Sequence, residues 1–176
     1  MQRVTRHRFL LGAFILLVES VAHSVANSPS APKALQPPKD QVLILHLNAK
    51  GQQIYVCEAA AGDSAWKFKA PQANLYAESG ELFGRHFAGP TWESNDGSRV
   101  VGKVMASAPS PDSDAIPWLL LTATSHHGAG VFSKVQSIQR LNTKGGVAPS
   151  AGCSAQNQKE ETQVPYEASY YFYGTR

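Results

Sequence analysis

Gly84-Arg85-His86-Phe87-Ala88-Gly89-Pro90-Thr91-Trp92-Glu93-Ser94-Asn95-Asp96-Gly97-Ser98-Arg99-Val100-Val101-Gly102-Lys103 reads as two extended segments joined by a hairpin. Asp96-Gly97 between extended residues carries the turn, because glycine accepts the positive φ that a tight hairpin connection needs. Over Leu82 to Ala88, strand alternation puts Phe83, Arg85 and Phe87 on one face and Leu82, Gly84, His86 and Ala88 on the other. Neither face is purely apolar. An arginine or histidine turned inward needs a partner, since a buried unpaired charge is costly or is neutralised by a pKa shift, and Glu93 and Asp96 are the nearest candidates. Arg85 and Lys103 can instead lie on the solvated face with their stems over aromatic rings.

Outward from this hairpin, the chain consists of short runs punctuated by turn residues. Val42 to Leu47 and Gln52 to Glu58 read as strands separated by a turn at Asn48 to Gly51, and Trp66-Lys67-Phe68-Lys69 alternates with its aromatics in and its lysines out. Val100 to Ser107 continues the hairpin. Ile116 to Ser125 is apolar on both parities and reads as a strand buried on both sides, with Pro117 tolerable only at its entry. Val131 to Leu141 and the tyrosine-crowded Val164 to Tyr173 close the list, and Asn142 to Val164 is the longest irregular stretch. Many short strands with turn signals every eight to twelve residues predict an all-β fold, a single-domain antiparallel β-sandwich or barrel with long loops and one disulfide.

The N-terminus gives an address. Arg3, Arg6, His7 and Arg8 precede the apolar run Phe9 to Val18, and small residues follow as far as Ser24-Val25-Ala26. This is the pattern of a secretory signal peptide, residues 1–26, with an apolar run too short to span a bilayer. Residues 27–40, with Pro29, Pro32, Pro37 and Pro38, read as a flexible Pro-rich lead-in, and residues 41–176 as one β domain. No later segment is apolar enough to cross a membrane, so the expected location is periplasmic or secreted. Removing the leader takes away three arginines and Glu19 and lowers the formal charge from +3 to +1. That balance, with its cations scattered among acids, argues against a nucleic-acid partner. The chain has two cysteines, Cys57 and Cys153, both in the exported portion; in an oxidising compartment they are expected to pair. A reactive thiol pair would need a Cys-x-x-Cys spacing, which is absent.

Gln53-Ile54-Tyr55-Val56-Cys57, Trp66-Lys67-Phe68-Lys69-Ala70-Pro71, His86-Phe87-Ala88-Gly89-Pro90-Thr91-Trp92-Glu93, Asp96-Gly97-Ser98, Ile116-Pro117-Trp118-Leu119-Leu120 and Ile138-Gln139-Arg140-Leu141-Asn142-Thr143 with Gly145-Gly146 and the Tyr-rich C-terminus resemble the bacterial and fungal family of exported domains of unknown function numbered 3455 in that series. The resemblance spans the mature chain. It implies an exported, mostly β domain and carries no catalytic residue with it.

Candidate chemistry is sparse. His46, His86, His126 and His127 lack the spacing of a metal site, and adjacent His126 and His127 point to opposite faces of a strand unless the following glycines bend them together. No Gly-x-Ser-x-Gly elbow is present, and Gly128-Ala129-Gly130 is too short to cradle a dinucleotide phosphate, so no cofactor is expected. Glu93 and Asp96, or His86 as a base, could serve a small metal-assisted or carboxylate-driven hydrolase, with His126 as a further group. A binding or structural module is the simpler expectation. Flat rings beside charges build clefts for a small molecule or glycan, and the residues nominated for such a cleft are His86, Trp92, Glu93, Lys103 and Arg140. Trp66 and Trp118 read as core, Trp92 as the partly exposed ring.

Overall fold

The computed structural model describes residues 28–60 and 63–175. Eight antiparallel strands run in sequence order around a closed barrel: β1 Val42–Ala60, β2 Asp63–Tyr76, β3 Leu82–Phe87, β4 Thr91–Ser94, β5 Arg99–Ala108, β6 Trp118–His127, β7 Ser137–Gly145 and β8 Glu161–Gly174, which pairs back onto β1. Of the sandwich and the barrel expected, the barrel forms. The residues read as a signal peptide, 1–26, lie outside the described residues.

Alternation decides what faces the lumen. Leu47, Ala49, Leu75, Trp92, Val100, Leu121, Ile138, Ala168, Tyr170 and Phe172 form one continuous core inside the barrel. The two runs read as separate strands before and after Gly51 are one strand, β1, and a single strand also runs through Pro71. Register shifts at Ile54/Tyr55 and Leu43/Leu45 bend β1 so that it can follow the barrel wall over its length.

The opening hairpin is in fact three strands. Gly97 adopts φ 83° at the β4–β5 turn as expected, and Trp92 pairs with Val100 and Glu93 with Arg99. A further tight turn at Ala88-Gly89-Pro90 folds β4 back on β3, setting His86 opposite Trp92 and Arg85 opposite Glu93. The segment starting at Val131 begins as a 3-10 turn, Val131–Lys134, before β7.

The two ends of the barrel differ. At one end Asp96 ties the β4–β5 turn to the β6–β7 connection: its carboxylate accepts from the Ser98 amide (2.8 Å) and hydroxyl (2.6 Å) and from the Val131 amide (3.0 Å). The Ser98 hydroxyl in turn accepts from the Phe132 amide (3.1 Å). These bonds hold the Asp96 carboxyl down at about 2. They also seat Phe132, which is fully buried between Phe83 and Phe172 and stoppers the lumen. At the opposite end the β1–β2 hairpin rises well past the short β3–β4 turn. There Cys57 and Cys153 form a disulfide, and the Trp66 indole donates to the Ala151 carbonyl (2.8 Å), so the long β7–β8 connection is moored to the β1–β2 ribbon.

Outside the barrel, the Pro-rich run is fastened rather than loose where it is described. It forms a 3-10 turn, Lys33–Leu35, against β5 and β6, with Leu35 wholly buried and its carbonyl accepting from Gln139 Nε2. This cover accounts for the two-sided apolar character of β6, whose lumenal Leu121 has the outward Leu120 as neighbour.

Candidate functional site

The open end of the barrel contains a cavity of about 310 Å³ to which all eight strands contribute. Its inner walls come from Gln53 on β1, His86 on β3, Trp92 on β4, Leu121 on β6, Arg140 on β7 and Tyr170 on β8. Phe68 and Val104, 57% and 47% exposed, stand at its rim. Lys69 is also at the rim, ion-paired with Glu161.

Three of the five nominated residues meet here and two do not. His86, Trp92 and Arg140 line the cavity. Glu93 and Arg85, one position along from Trp92 and His86, project from the outer face. Lys103 sits exposed between Gly102, which packs under Trp92, and Val104 on the rim, so alternation turns it away. The residues nominated for a hydrolase also separate: His86 is inside, Glu93 outside, and His126 Nε2 donates to the Val135 carbonyl at 2.6 Å near the closed end. Among the described residues no group of three or more His, Cys, Asp or Glu side chains is placed to hold a metal ion.

Trp92 corrects the sequence reading most. Its proximity to Pro90 and Glu93 suggested an exposed ring, but consecutive residues of a strand face opposite ways, and Trp92 is 1% exposed. It stacks on His86 (centroids 4.4 Å apart, planes within 10°) and meets the edges of Tyr170 and Phe172. A Cβ at Gly102 would lie 3.0 Å from Trp92 Cζ3, so the indole packs close over the glycine. Trp66 and Trp118, expected in the core, are only half-buried.

Electrostatically the cavity lining, among the described residues, carries cations and no acid. His86 donates through Nδ1 to the Thr91 carbonyl (2.8 Å), which leaves Nε2 unprotonated. Burial, chiefly, and the Arg140 charge bring the His86 pKa down to about 3, against the hydrogen bond to Thr91, so the ring is neutral at physiological pH. Arg140 donates from Nε (3.1 Å) and Nη2 (2.8 Å) to the Pro117 carbonyl, and among the described residues no acid lies within ion-pair distance of it. Gln53 Nε2, Trp92 Nε1 and the Tyr170 hydroxyl are buried without a hydrogen-bond partner. The Tyr166 and Tyr170 hydroxyls feel each other and Arg140, yet neither closes a hydrogen bond of acceptable geometry; burial raises the pKa of both.

The neutral His86 yields a pH prediction. The unfolded chain takes up a proton at this histidine near pH 6.5 and the folded chain only near 3, so stability falls as pH drops through that window. Between pH 7 and 5.5 the expected loss from this group is roughly 1 kcal/mol. Guanidinium titrations at the two pH values check it, and the loss should shrink in a His86→Phe variant. A pH-independent difference between wild type and variant would show that His86 protonates normally in the fold.

A larger concavity, about 710 Å³, lies on the outer face of β1 to β5 around Lys50, Gln72, Asn74, Arg85, Glu93 and Arg99. It is an open saddle, and its charges already answer each other: Glu93 bridges Arg85 (2.6 Å) and Arg99, and the hydrogen bond from Arg85 above all holds the Glu93 carboxyl below its usual range. The lumenal cavity is the better site because its polar groups are the ones left unsatisfied.

Gln53, Phe68, Val104, Leu119, Leu121 and Tyr170 complete the cavity and were not nominated from sequence. Their signal was only the inward parity of their strands. The family model described as "Protein of unknown function (DUF3455)" matches residues 37–174. No curated protein and no solved structure matches the chain.

Proposed function

We propose that this chain, which belongs to the DUF3455 family of proteins of unknown function, is an exported, non-catalytic binding module that takes a small molecule into the open end of its barrel. The observation that carries the reading is the cavity walled by all eight strands, whose lining holds three buried polar atoms without partners. A buried donor or acceptor left unpaired costs about 1–3 kcal/mol, and groups of that kind gathered around one space are what a bound molecule would satisfy. Eight-stranded barrels have an interior just wide enough to be filled by side chains or to hold one small ligand. At roughly 30 Å³ per water, 310 Å³ holds about ten water-sized volumes, which suits a molecule of one ring and not an oligosaccharide. Export is supported by the basic and then apolar N-terminal residues together with the disulfide. No helix among the described residues is long and apolar enough to cross a membrane.

Benzamide and phenol, followed by ligand-observed NMR, test the reading. Both are expected to receive saturation from the wild-type protein. Val104→Trp puts an indole on the rim, where the side chain is half exposed and the core is untouched, so it should abolish the transfer while moving Tm by no more than about 2 °C. Equal transfer to wild type and variant, or no transfer from the wild type to these two probes or to benzoate, would overturn the proposal.

A further inference from the structure

Resting on that reading, we infer that the ligand is a singly charged, planar anion, a carboxylate on one ring, seated with its charge on Arg140 and its ring against the Trp92 and Leu121 side of the lumen. The sign follows from the lining. Arg140 is the inner cation, it has no acid partner among the described residues, and no aspartate or glutamate lines the cavity. The neighbouring histidine is neutral with Nδ1 committed to the Thr91 carbonyl. A guanidinium has five N–H donors, of which the Pro117 carbonyl takes two, so three remain for an incoming oxygen pair.

The remaining polar groups point to the same chemistry. Trp92 Nε1 can only donate, and the Tyr170 hydroxyl, which lies near Arg140 and can donate or accept, is free to donate to an oxygen held there; both residues are 1% exposed and neither polar atom has a hydrogen bond of acceptable geometry. A carboxylate offers two oxygens with about four lone pairs, enough for Arg140 and one of these donors together.

The single charge follows from the count of cations. One guanidinium can neutralise one negative charge against these apolar walls, and Lys69 at the rim is already paired with Glu161. A phosphate dianion would therefore carry uncompensated charge into a mouth walled by Phe68, Pro71, Pro90, Leu119 and Leu121. Those same apolar walls explain why a bare ion is a poorer occupant than an anion carrying a ring.

Benzoate and benzamide are nearly identical in shape and differ in charge, so the pair isolates the inference. At pH 7 and low salt, calorimetry or competition NMR is expected to give benzoate at least about a tenfold tighter Kd than benzamide, the usual gain of a charge-assisted over a neutral hydrogen bond. Arg140→Gln should bring the two Kd values within about twofold, and Tyr170→Phe, which keeps the ring, should weaken benzoate about three- to tenfold. Should Arg140→Gln fail to fold because the Pro117 contact is lost, the wild-type ratio and Tyr170→Phe still decide. Equal Kd values for the two probes, or tighter benzamide, overturn the anion inference while leaving the binding cavity in place. Binding of neither probe removes both. Inorganic phosphate competing with benzoate at equal concentration would also overturn the inference, since it would show that charge alone is read.

Discussion

Replacing Cys57 and Cys153 together by serine is expected to lower the unfolding free energy by as much as about 4.7 kcal/mol, the loop-entropy value for a closed loop near 100 residues; here the bridged residues are 96 apart. The bridge ties the end of the β1–β2 ribbon to the connection that leads into β8, and β1 and β8 are the pair that closes the barrel. Backbone bonds at the same place, from the Cys57 amide to the Glu160 carbonyl and from the Lys159 amide to the Cys57 carbonyl, both 2.9 Å, keep the serine variant's native geometry available. The loss should therefore come mainly from a less constrained unfolded chain. Guanidinium unfolding of wild type, reduced wild type and the double variant checks this. A deficit below about 1 kcal/mol in both altered forms would mean that the unfolded chain is already compact around this bridge.

Trp92→Ala is expected to cost about 3–5 kcal/mol, the range for deleting a large buried aromatic. The indole fills the lumen between His86, Tyr170 and Phe172, so its removal leaves a void that three rings cannot collapse into without breaking the His86–Thr91 bond. Trp92→Phe should cost roughly half as much or less, because it keeps a ring and removes the buried Nε1 that has no partner. The pair of variants separates packing from polarity: equal losses would show that the Nε1 is satisfied in solution, and a loss under about 1 kcal/mol for alanine would place the ring outside the core.

Trp92 also shows where the sequence stopped being informative. Period-two alternation separates His86 from Arg85 without saying which of the two faces inward, and Asp96-Gly97 sets the hairpin. The spacing of turn signals was enough to predict an all-β chain. Alternation alone puts Trp92 on the His86 face and Glu93 on the Arg85 face, with or without the turn at Ala88-Gly89-Pro90; what it leaves open is which of those faces the barrel encloses. Closure was legible only as an alternative to a sandwich, because nothing local to β1 or β8 says that they meet. Arg140, nominated as a charge beside rings, lines the lumenal cavity. Tyr170 is its cross-strand partner on β8, whereas Gln53 lies far back along the chain on β1 and only the circuit of the barrel brings it to the same cavity. Lys103 failed for a local reason: Gly102 packs under the indole, which sets the parity of β5.

Because β8 returns to β1, no strand of the circuit is left without a neighbour on either side. The circuit is not equally tall all round, however: β2 before Ala73 pairs with β1 alone and β5 beyond Gly102 pairs with β6 alone, so these two lengths are the backbone ladders on which another copy could add a strand. Self-association of this chain is then most open along those two lengths, where Phe68 and Met105 are exposed at 57% and 63%.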